Sequence, residues 1–160
     1  MTCAASDPAP PNIGEPIVEA LYAEALVLAD EARQVFDLTA DAAASARADR
    51  LRLALSVEGL RTTTRVMHVL AWLLNHRAFF AGELSALQLR RYSQLPADRP
   101  SEADNLDLLL APTVELIVQS ERLHARVARL DAAWRDTVAK ETPPVRRLHQ
   151  QLDRTFATAR

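Results

Sequence analysis

Residues Ser56 to Leu84, SVEGLRTTTRVMHVLAWLLNHRAFFAGEL, contain no proline and repeat apolar residues at the spacing of an α-helix. One side of that helix carries Leu60, Thr64, Met67, Ala71, Leu74, Ala78 and Ala81. We interpret this side as an ordinary core face. The opposite side carries Val69, Trp72, Leu73, His76 and Phe80. A helix that is apolar nearly all round is usually buried all round, so this second face is predicted to meet a partner helix or subunit.

The second face has another interpretation. Trp72, Phe79 and Phe80 fit an intramolecular core as well as a subunit interface, because both environments favour large apolar side chains. The stretch from Arg65 to Arg77 is also far shorter than the roughly 18 apolar residues that a membrane-spanning helix needs. A membrane partner is therefore not expected.

Length and composition favour one helical domain. The chain has 160 residues, 49% of them apolar and 5% aromatic, enough for a single substantial core. No proline occurs between Ile17 and Leu95, and that interval lacks the alternating β-branched residues of strands. We predict an all-α fold, a three-helix bundle with a long central helix.

The predicted organisation is a disordered tail at 1–15, a bundle domain at 16–140 and a flexible tail at 141–160 with a short amphipathic helix. Within the bundle, helices are expected at about 17–37, 50–91 and 112–140, with a loop at 39–49 and turns at 92–111. Gly59 lies inside the second helix, where glycine is less stable than alanine by roughly 1 kcal/mol. It is interpreted as a point where another helix approaches closely.

Charge and motifs argue against several function classes. The formal net charge of −2 gives little reason to expect bulk attraction to nucleic acid or membranes. Cys3 is the only cysteine and cannot form an internal disulfide, which together with the absence of a visible secretory signal suits the cytoplasm. No Gly-rich phosphate loop or nucleophile motif is present. We predict a protein that is not an enzyme and uses no cofactor.

Glu121 and His124 form a Glu-x-x-His spacing that could place two metal ligands on one helical face. A di-iron bundle needs that motif twice and two further carboxylates, whereas it occurs once here. We interpret both residues as solvated surface residues and predict no metal site.

Arg122, Arg126 and Arg129 form a cationic stripe on the third helix. Nucleic-acid binding is disfavoured because acids such as Glu115 lie close by and no stacking aromatic accompanies them. An exposed, salt-bridged face is the favoured interpretation. A protein-docking role for the three arginines stays open.

Several segments resemble the RcdA-like family of regulators of CtrA degradation, also designated DUF1465. The second helix contributes the run from Arg61 to Arg65, the run VMHVLAWLLNHRA and the triplet AGE. LYAEALVLADEAR in the first helix and the stretch from Glu115 to Asp131 in the third are also similar. The resemblance covers about Ile17 to Asp131.

This resemblance implies a dimerising three-helix bundle without catalytic activity. Such a bacterial adaptor brings cell-cycle regulators, CtrA-like response regulators or other cargo, to the ClpXP protease and its priming factors. It also implies that the C-terminal tail contacts cargo through Arg146, Arg147, Leu148, Leu152 and Phe156. A polar location in the cell stays open. The alternative is a helical protein- or nucleic-acid-binding regulatory module unrelated to proteolysis.

Overall fold

The computed structural model describes residues 14–37 and 46–140. These residues form the helices α1 (Glu15–Asp37), α2 (Ala46–Phe80), α3 (Ala86–Tyr92), α4 (Ala103–Leu106) and α5 (Ala111–Lys140), with no strand among them. The all-α prediction and its three long helices are confirmed. Residues 14–131 belong to one compact unit, called the bundle below, and the last helical residues of α5, 132–140, belong to another. The predicted tail helix and its five candidate contact residues lie outside the described residues.

The core side of α1 follows the three- and four-residue spacing of a helix. The buried residues are Val18, Leu21, Ala25, Leu28 and Ala32. Ile17, the first residue of the predicted helix, is 45% exposed. The helix begins where the Gly14 carbonyl accepts hydrogen bonds from the amides of Ile17 and Val18. Pro16 lies in this first turn, where a missing N–H is harmless.

Gly59 marks the close approach of α1 to α2. A Cβ atom at this position would lie 2.9 Å from Cδ1 of Phe36, closer than van der Waals contact allows. Only glycine fits there without moving the Phe36 ring, and the sequence-based interpretation of Gly59 is confirmed.

The second helix ends earlier than predicted. It was expected to reach Arg91, but α2 ends at Phe80 and Gly82 has a φ of 77°. Glycine adopts this left-handed conformation without a Cβ clash. The amides of Glu83 and Leu84 both donate to the Ala78 carbonyl and so satisfy the helix end.

A second helix start follows at once. Ser85 and Gln88 form a capping box in which each side chain bonds the other's backbone amide, and α3 begins there. The start of α2 also differs from the prediction. The helix begins at Ala46, inside the segment 39–49 that was predicted to be a loop. α4 is a further short helix within the predicted turn region.

The inward side of α2 is the side that its periodicity had assigned to a partner. Val69, Trp72, Leu73 and His76 are each at most 2% exposed within this single chain, and Phe80 is half-buried. Their burial within the chain contradicts a partner surface at Val69, Trp72, Leu73 and His76, and the intramolecular interpretation holds for Trp72. The assignment of Phe80 stays a prediction. Polar residues enter the same buried side: Glu58, Thr62 and Arg65. Periodicity showed two faces of α2 but not which of them points inward.

Candidate interaction surface

The face of α2 that was predicted to be core is exposed. Leu53, Leu60, Met67 and Leu74 are 66%, 71%, 63% and 48% exposed, and each follows the last by seven residues. We call these four residues the α2 stripe. Seven residues turn the helix by about 20° less than two full turns, so successive side chains point in nearly the same direction. The four side chains therefore share one side of the helix over roughly 32 Å.

Within α2 itself, the exposed neighbours of the α2 stripe are uncharged, whereas Asp98 and Arg99 lie beside Leu60 from outside the helix. Between Leu53 and Leu74, the exposed residues of α2 are Leu53, Ser56, Leu60, Thr63, Thr64, Met67, Ala71 and Leu74. Arginines in this interval point elsewhere, since Arg61 is half-buried and Arg65 is buried. The result is one column of large apolar side chains bordered by small ones.

Opposite charges lie at the two ends of the α2 stripe. At the end near Leu74, a hollow is lined by Glu15, Glu19, Leu74, Arg77, Ala78, Ala81 and Glu83. Within this hollow, Arg77 donates to Glu19 and lies 4.4 Å from the ring centre of Tyr22. At the end near Leu53, Arg50 is exposed and Arg52 is bonded to Asp49 at 2.8 Å. The described side chains therefore make the first end acidic and the second basic.

A buried arginine holds the segment that runs beside this face. The segment 93–102 connects α3 to α4 without regular structure up to residue 102. The Arg65 side chain is 0% exposed, and its Nε donates to Asp98 at 2.8 Å. Its other nitrogens donate to Ser120 Oγ at 2.8 Å, to the Arg99 carbonyl at 3.1 Å and to Glu121 at 3.3 Å. A planar guanidinium supplies this many directed donors, which an ammonium could not.

Glu121 and His124, the pair considered as metal ligands, hold the same segment. One Glu121 oxygen accepts hydrogen bonds from the amide of Ser101 at 3.0 Å and from its hydroxyl at 2.8 Å. His124 Nε2 lies 3.0 Å from the Pro96 carbonyl oxygen, a position from which it donates. His124 is buried rather than solvated, so that part of the prediction was wrong. In the described part of the chain, no group of three or more His, Cys, Asp or Glu residues could hold a metal ion.

Glu58 on α2 is hydrogen-bonded to the start of α4. Its side chain is 0% exposed and accepts hydrogen bonds from the Glu102 amide at 3.3 Å, Asn105 Nδ2 at 2.8 Å and Arg61 at 2.8 Å. Burial alone raises the pKa of Glu58, but the hydrogen bonds from Asn105 and Glu102 and the charge of Arg61 outweigh it and lower the pKa. Glu102 forms no side-chain cap bond at the start of α4, and the carboxylate of Glu58 binds this start through the Glu102 amide and the Asn105 side chain instead.

His76 and Trp72 form the inner polar contact of α2. Their rings stack with centres 3.6 Å apart, and the Trp72 indole donates to Asp131 at 3.0 Å. His76 Nδ1 lies 2.9 Å from the Trp72 carbonyl oxygen and 3.2 Å from Ser93 Oγ. Burial lowers the pKa of His76 and favours the neutral ring, against the opposing effects of the Trp72 carbonyl and the Asp131 charge.

The arginine stripe of α5 is exposed, as expected for a solvated face. Arg126 donates to both oxygens of Glu24 on α1, at 2.8 and 2.9 Å. It lines a hollow between the two helices with Glu24, Val27, Leu28, Glu31, Gln119 and Arg122. Arg129 is exposed further along α5. Their docking role stays a prediction.

The sequence contains a local signal for the α2 stripe. The seven-residue repeat of Leu53, Leu60, Met67 and Leu74 can be read from the sequence. It begins at Leu53, before the segment starting at Ser56 that was used to define the two faces of the helix. The buried hydrogen bonds of Arg65 have no such signal in the sequence, because the residues that they join lie far apart in the chain. Arg65 and Asp98, for example, are 33 positions apart.

The family comparison matches most of the chain. The model of the family described as "Protein of unknown function (DUF1465)" covers residues 10–156, and the chain belongs to that family. Neither the comparison with curated proteins nor the comparison with solved structures finds a match. Among the described residues, no helix has both the length and the apolar content required to cross a membrane.

Proposed function

We propose that this member of the DUF1465 family is a non-enzymatic adaptor that tethers protein cargo to the ClpXP protease, with CtrA-like response regulators as the first candidates. The observation that carries a binding role is the α2 stripe. Scattered apolar residues on a surface need no explanation, but four large apolar residues aligned on one side of a helix, with only uncharged exposed residues between them, are typical of an interaction site.

The energy available from this surface is substantial. Complete burial of a Leu or Met side chain contributes about 1.5–3 kcal/mol relative to full exposure. The four residues of the α2 stripe are between 48% and 71% exposed, so a corresponding part of that contribution is still available to a partner. Other residues could supply specificity at the charged ends of the stripe.

Hydrogen bonds within the chain hold the segment beside the α2 stripe in place. Thr64 and Leu60 form one wall of a hollow of about 370 Å³ whose other wall contains Ala97, Asp98 and Arg99. Arg65 bonds to the side chain of Asp98 and to the carbonyl of Arg99, so the second wall is tied to α2. A binding surface that is ordered in advance loses less conformational entropy when its partner arrives.

The identity of the cargo and the protease rests on the resemblance described above, which the family match supports at the level of the DUF1465 family. An adaptor accelerates degradation by raising the local concentration of its cargo at the unfoldase. Two contacts of modest affinity, one with the cargo and one with the protease, are enough to raise this local concentration. The task requires surfaces rather than acids, bases or cofactors.

The test is the degradation rate of purified CtrA-like response regulators by reconstituted ClpXP, with its priming factors, in the presence and absence of this protein. We expect severalfold faster degradation with the wild-type chain and loss of the effect when the chain is truncated after Thr142. No acceleration of any candidate cargo with all priming factors present would contradict the adaptor proposal.

A pair of surface variants links the rate to the α2 stripe. Leu60→Glu changes a stripe residue that is 71% exposed, and Leu87→Glu changes an α3 residue that is 69% exposed outside the stripe. Both variants should fold, because neither side chain is part of the core. We expect Leu60→Glu to reduce the acceleration and Leu87→Glu to leave it unchanged.

A further inference from the structure

We infer that the hollow between α2 and the 93–102 segment binds the C-terminal end of a partner protein. Arg99 and His68 hold the terminal carboxylate there, and the last side chain of the partner packs on the apolar part of the lining. The inference deepens the proposed function and rests on it in taking this partner to be cargo. It gives the cargo a chemical signature, a free chain end with an apolar last residue.

The hollow combines apolar surface with cationic groups. Val57 and Leu60 on α2 and Ala97 on the segment supply the apolar part of the lining, and His68 and Arg99 line the same space. Its volume of about 370 Å³ lies near the lower limit of ligand pockets, which is roughly 300 Å³. The hollow therefore admits the end of a chain rather than a helix or a folded surface.

The other charged residues of the lining are already engaged within the fold. Both carboxylate oxygens of Asp98 accept hydrogen bonds from Nε of Arg65, at 2.8 and 2.9 Å. Arg61 donates to Glu58 at 2.8 Å and to Glu102 at 2.6 Å. These ion pairs leave the carboxylate of Asp98 neutralised, so it does not repel an anion that enters the hollow.

Arg99 and His68 have donors to spare. Arg99 is exposed and His68 is half-buried, and within the described part of the chain neither side chain has a hydrogen-bond or ion-pair partner. The carbonyl of Arg99 is fixed by Arg65 at 3.1 Å, which anchors the backbone from which the guanidinium extends. A guanidinium matches a carboxylate in two parallel hydrogen bonds, and an imidazole has an N–H donor in either protonation state. The hollow is therefore complementary to a carboxylate.

A chain end supplies the carboxylate and the apolar group on one residue, because both are bonded to the same Cα. In the middle of an extended chain, neighbouring side chains point to opposite faces, so an acidic residue and the apolar residue next to it would not enter the same small hollow. Capture of a C-terminal carboxylate is a recurring mode of peptide recognition. The small volume therefore favours a chain end over an internal acidic segment.

The test uses the full chain and short peptides with a fluorescent label at the N-terminus. Their sequence is Gly-Ser-Gly-Ser-X, where X is Ala, Val, Leu or Phe, and each is prepared as the free acid and as the C-terminal amide. Fluorescence anisotropy gives the dissociation constants. We expect free acids to bind and the matching amides to bind roughly ten- to hundredfold more weakly, the factor for losing hydrogen bonds to a charged group. If no free acid binds up to millimolar concentration, the inference is rejected.

A third set of peptides, Gly-Ser-Gly-Glu-X amides, distinguishes a chain end from an acidic side chain. These peptides contain one carboxylate, as the free acids do, but place it within the chain. We expect them to bind as weakly as the other amides. Binding as tight as that of the free acids would show that the hollow recognises an acidic side chain and would reject capture of a chain end.

Two arginine variants connect peptide binding to the hollow. Arg99→Gln should weaken binding of the free acids by about tenfold and leave binding of the amides unchanged, because only the free acids present the carboxylate. His68→Gln should have the same selectivity. The matched control is Arg122→Gln, which removes an exposed arginine from α5 outside this hollow. Equal weakening by the two arginine variants would assign the effect to bulk charge and contradict the inference.

A pair of tryptophan variants tests the position of the peptide. Ala97 and Gln94 are both exposed on the 93–102 segment, but only Ala97 lines the hollow. Ala97→Trp should fill the hollow and abolish binding of the free acids, whereas Gln94→Trp should leave it unchanged. Circular dichroism confirms that each chain is folded. A folded Ala97→Trp chain that binds as the wild type does would place the peptide elsewhere and overturn the inference.

The degradation assay separates this inference from the adaptor proposal. A wild-type chain that accelerates degradation but binds none of the free acids would reject the chain-end site and leave the adaptor role. A chain that binds the free acids through Arg99 but accelerates no degradation would reject the adaptor role and leave the chain-end site.

Discussion

Arg65 on α2 binds both carboxylate oxygens of Asp98 through its Nε, at 2.8 and 2.9 Å, and thereby joins two parts of the chain that are 33 residues apart. The same guanidinium reaches Ser120 on α5. One side chain therefore connects α2, the 93–102 segment and α5. This contact explains how a charged residue occupies the inward side of α2, since a buried charge is tolerated only when it is paired and hydrogen-bonded.

Removing Arg65 should destabilise the bundle strongly. Arg65→Met leaves Asp98 and Glu121 without their cation, and breaking a buried ion pair typically costs about 3–5 kcal/mol. Because those carboxylates are 26% and 31% exposed, we expect a loss at the lower end of that range. The measurement is the free energy of unfolding in urea.

The matched control for Arg65 is Arg126→Met, which breaks the exposed pair with Glu24. Exposed pairs contribute about 0–1 kcal/mol, so this variant should unfold near the wild-type midpoint. Equal losses for the two arginines would contradict the special role of Arg65.

Glu58 should stabilise the protein in a pH-dependent way. The folded state lowers the pKa of Glu58 below the ordinary value of 4.5, so the contribution of the carboxylate is complete above that pH and is lost as pH falls through the folded pKa. Glu58→Gln should destabilise the protein by about 1–3 kcal/mol at neutral pH, the usual effect of losing hydrogen bonds to a charged group. The difference between the two unfolding free energies should shrink below pH 4.5. A difference that is constant with pH would show that the charge of Glu58 is unimportant.

His76 should make the bundle sensitive to mild acid. Burial lowers its folded pKa below 6.5, so the unfolded chain binds a proton more readily. The associated stability is complete above pH 6.5 and falls as pH is lowered from there toward the folded pKa. Unfolding midpoints of the wild type and of His76→Gln, measured between neutral pH and mild acid, provide the comparison. The glutamine variant should lose this slope, and an unchanged slope would assign it to another group.

Gly59→Ala should destabilise the contact between α1 and α2. Alanine favours the helix by up to about 1 kcal/mol, but its Cβ would meet the Phe36 ring, with Cδ1 at 2.9 Å and Cγ at 3.1 Å. Overpacking of this kind costs about 1–3 kcal/mol, so we expect a net loss of about 1 kcal/mol in the unfolding free energy.

The partner variant for Gly59 is Phe36→Leu, which removes the ring. A double variant should be more stable than the sum of the two single effects predicts, because the residues are in direct contact. Simple additivity would show that the added methyl group finds space without moving Phe36.

Sequence reasoning located the long helices because their signals are local. Apolar spacing of three and four residues and the positions of prolines identified α1, α2 and α5, and Gly59 indicated a close approach. The early end of α2 was missed even though Gly82 and the Ser85–Gln88 capping box were present, because the helix-forming residues on both sides outweighed one glycine. Such boundaries depend on weak local preferences.

By itself, the sequence determined the three long helices, apart from the bounds of α2, and showed that α2 has two apolar faces. Only the tertiary structure decided which face is inside. The inward face carries Glu58, Arg65 and His76, whose partners Asn105, Asp98 and Ser93 come from a distant part of the chain. Hydrogen bonds formed across the fold offset the burial of these polar groups, and periodicity contains no information about them. The more uniformly apolar stripe of Leu53, Leu60, Met67 and Leu74 is therefore left on the outside.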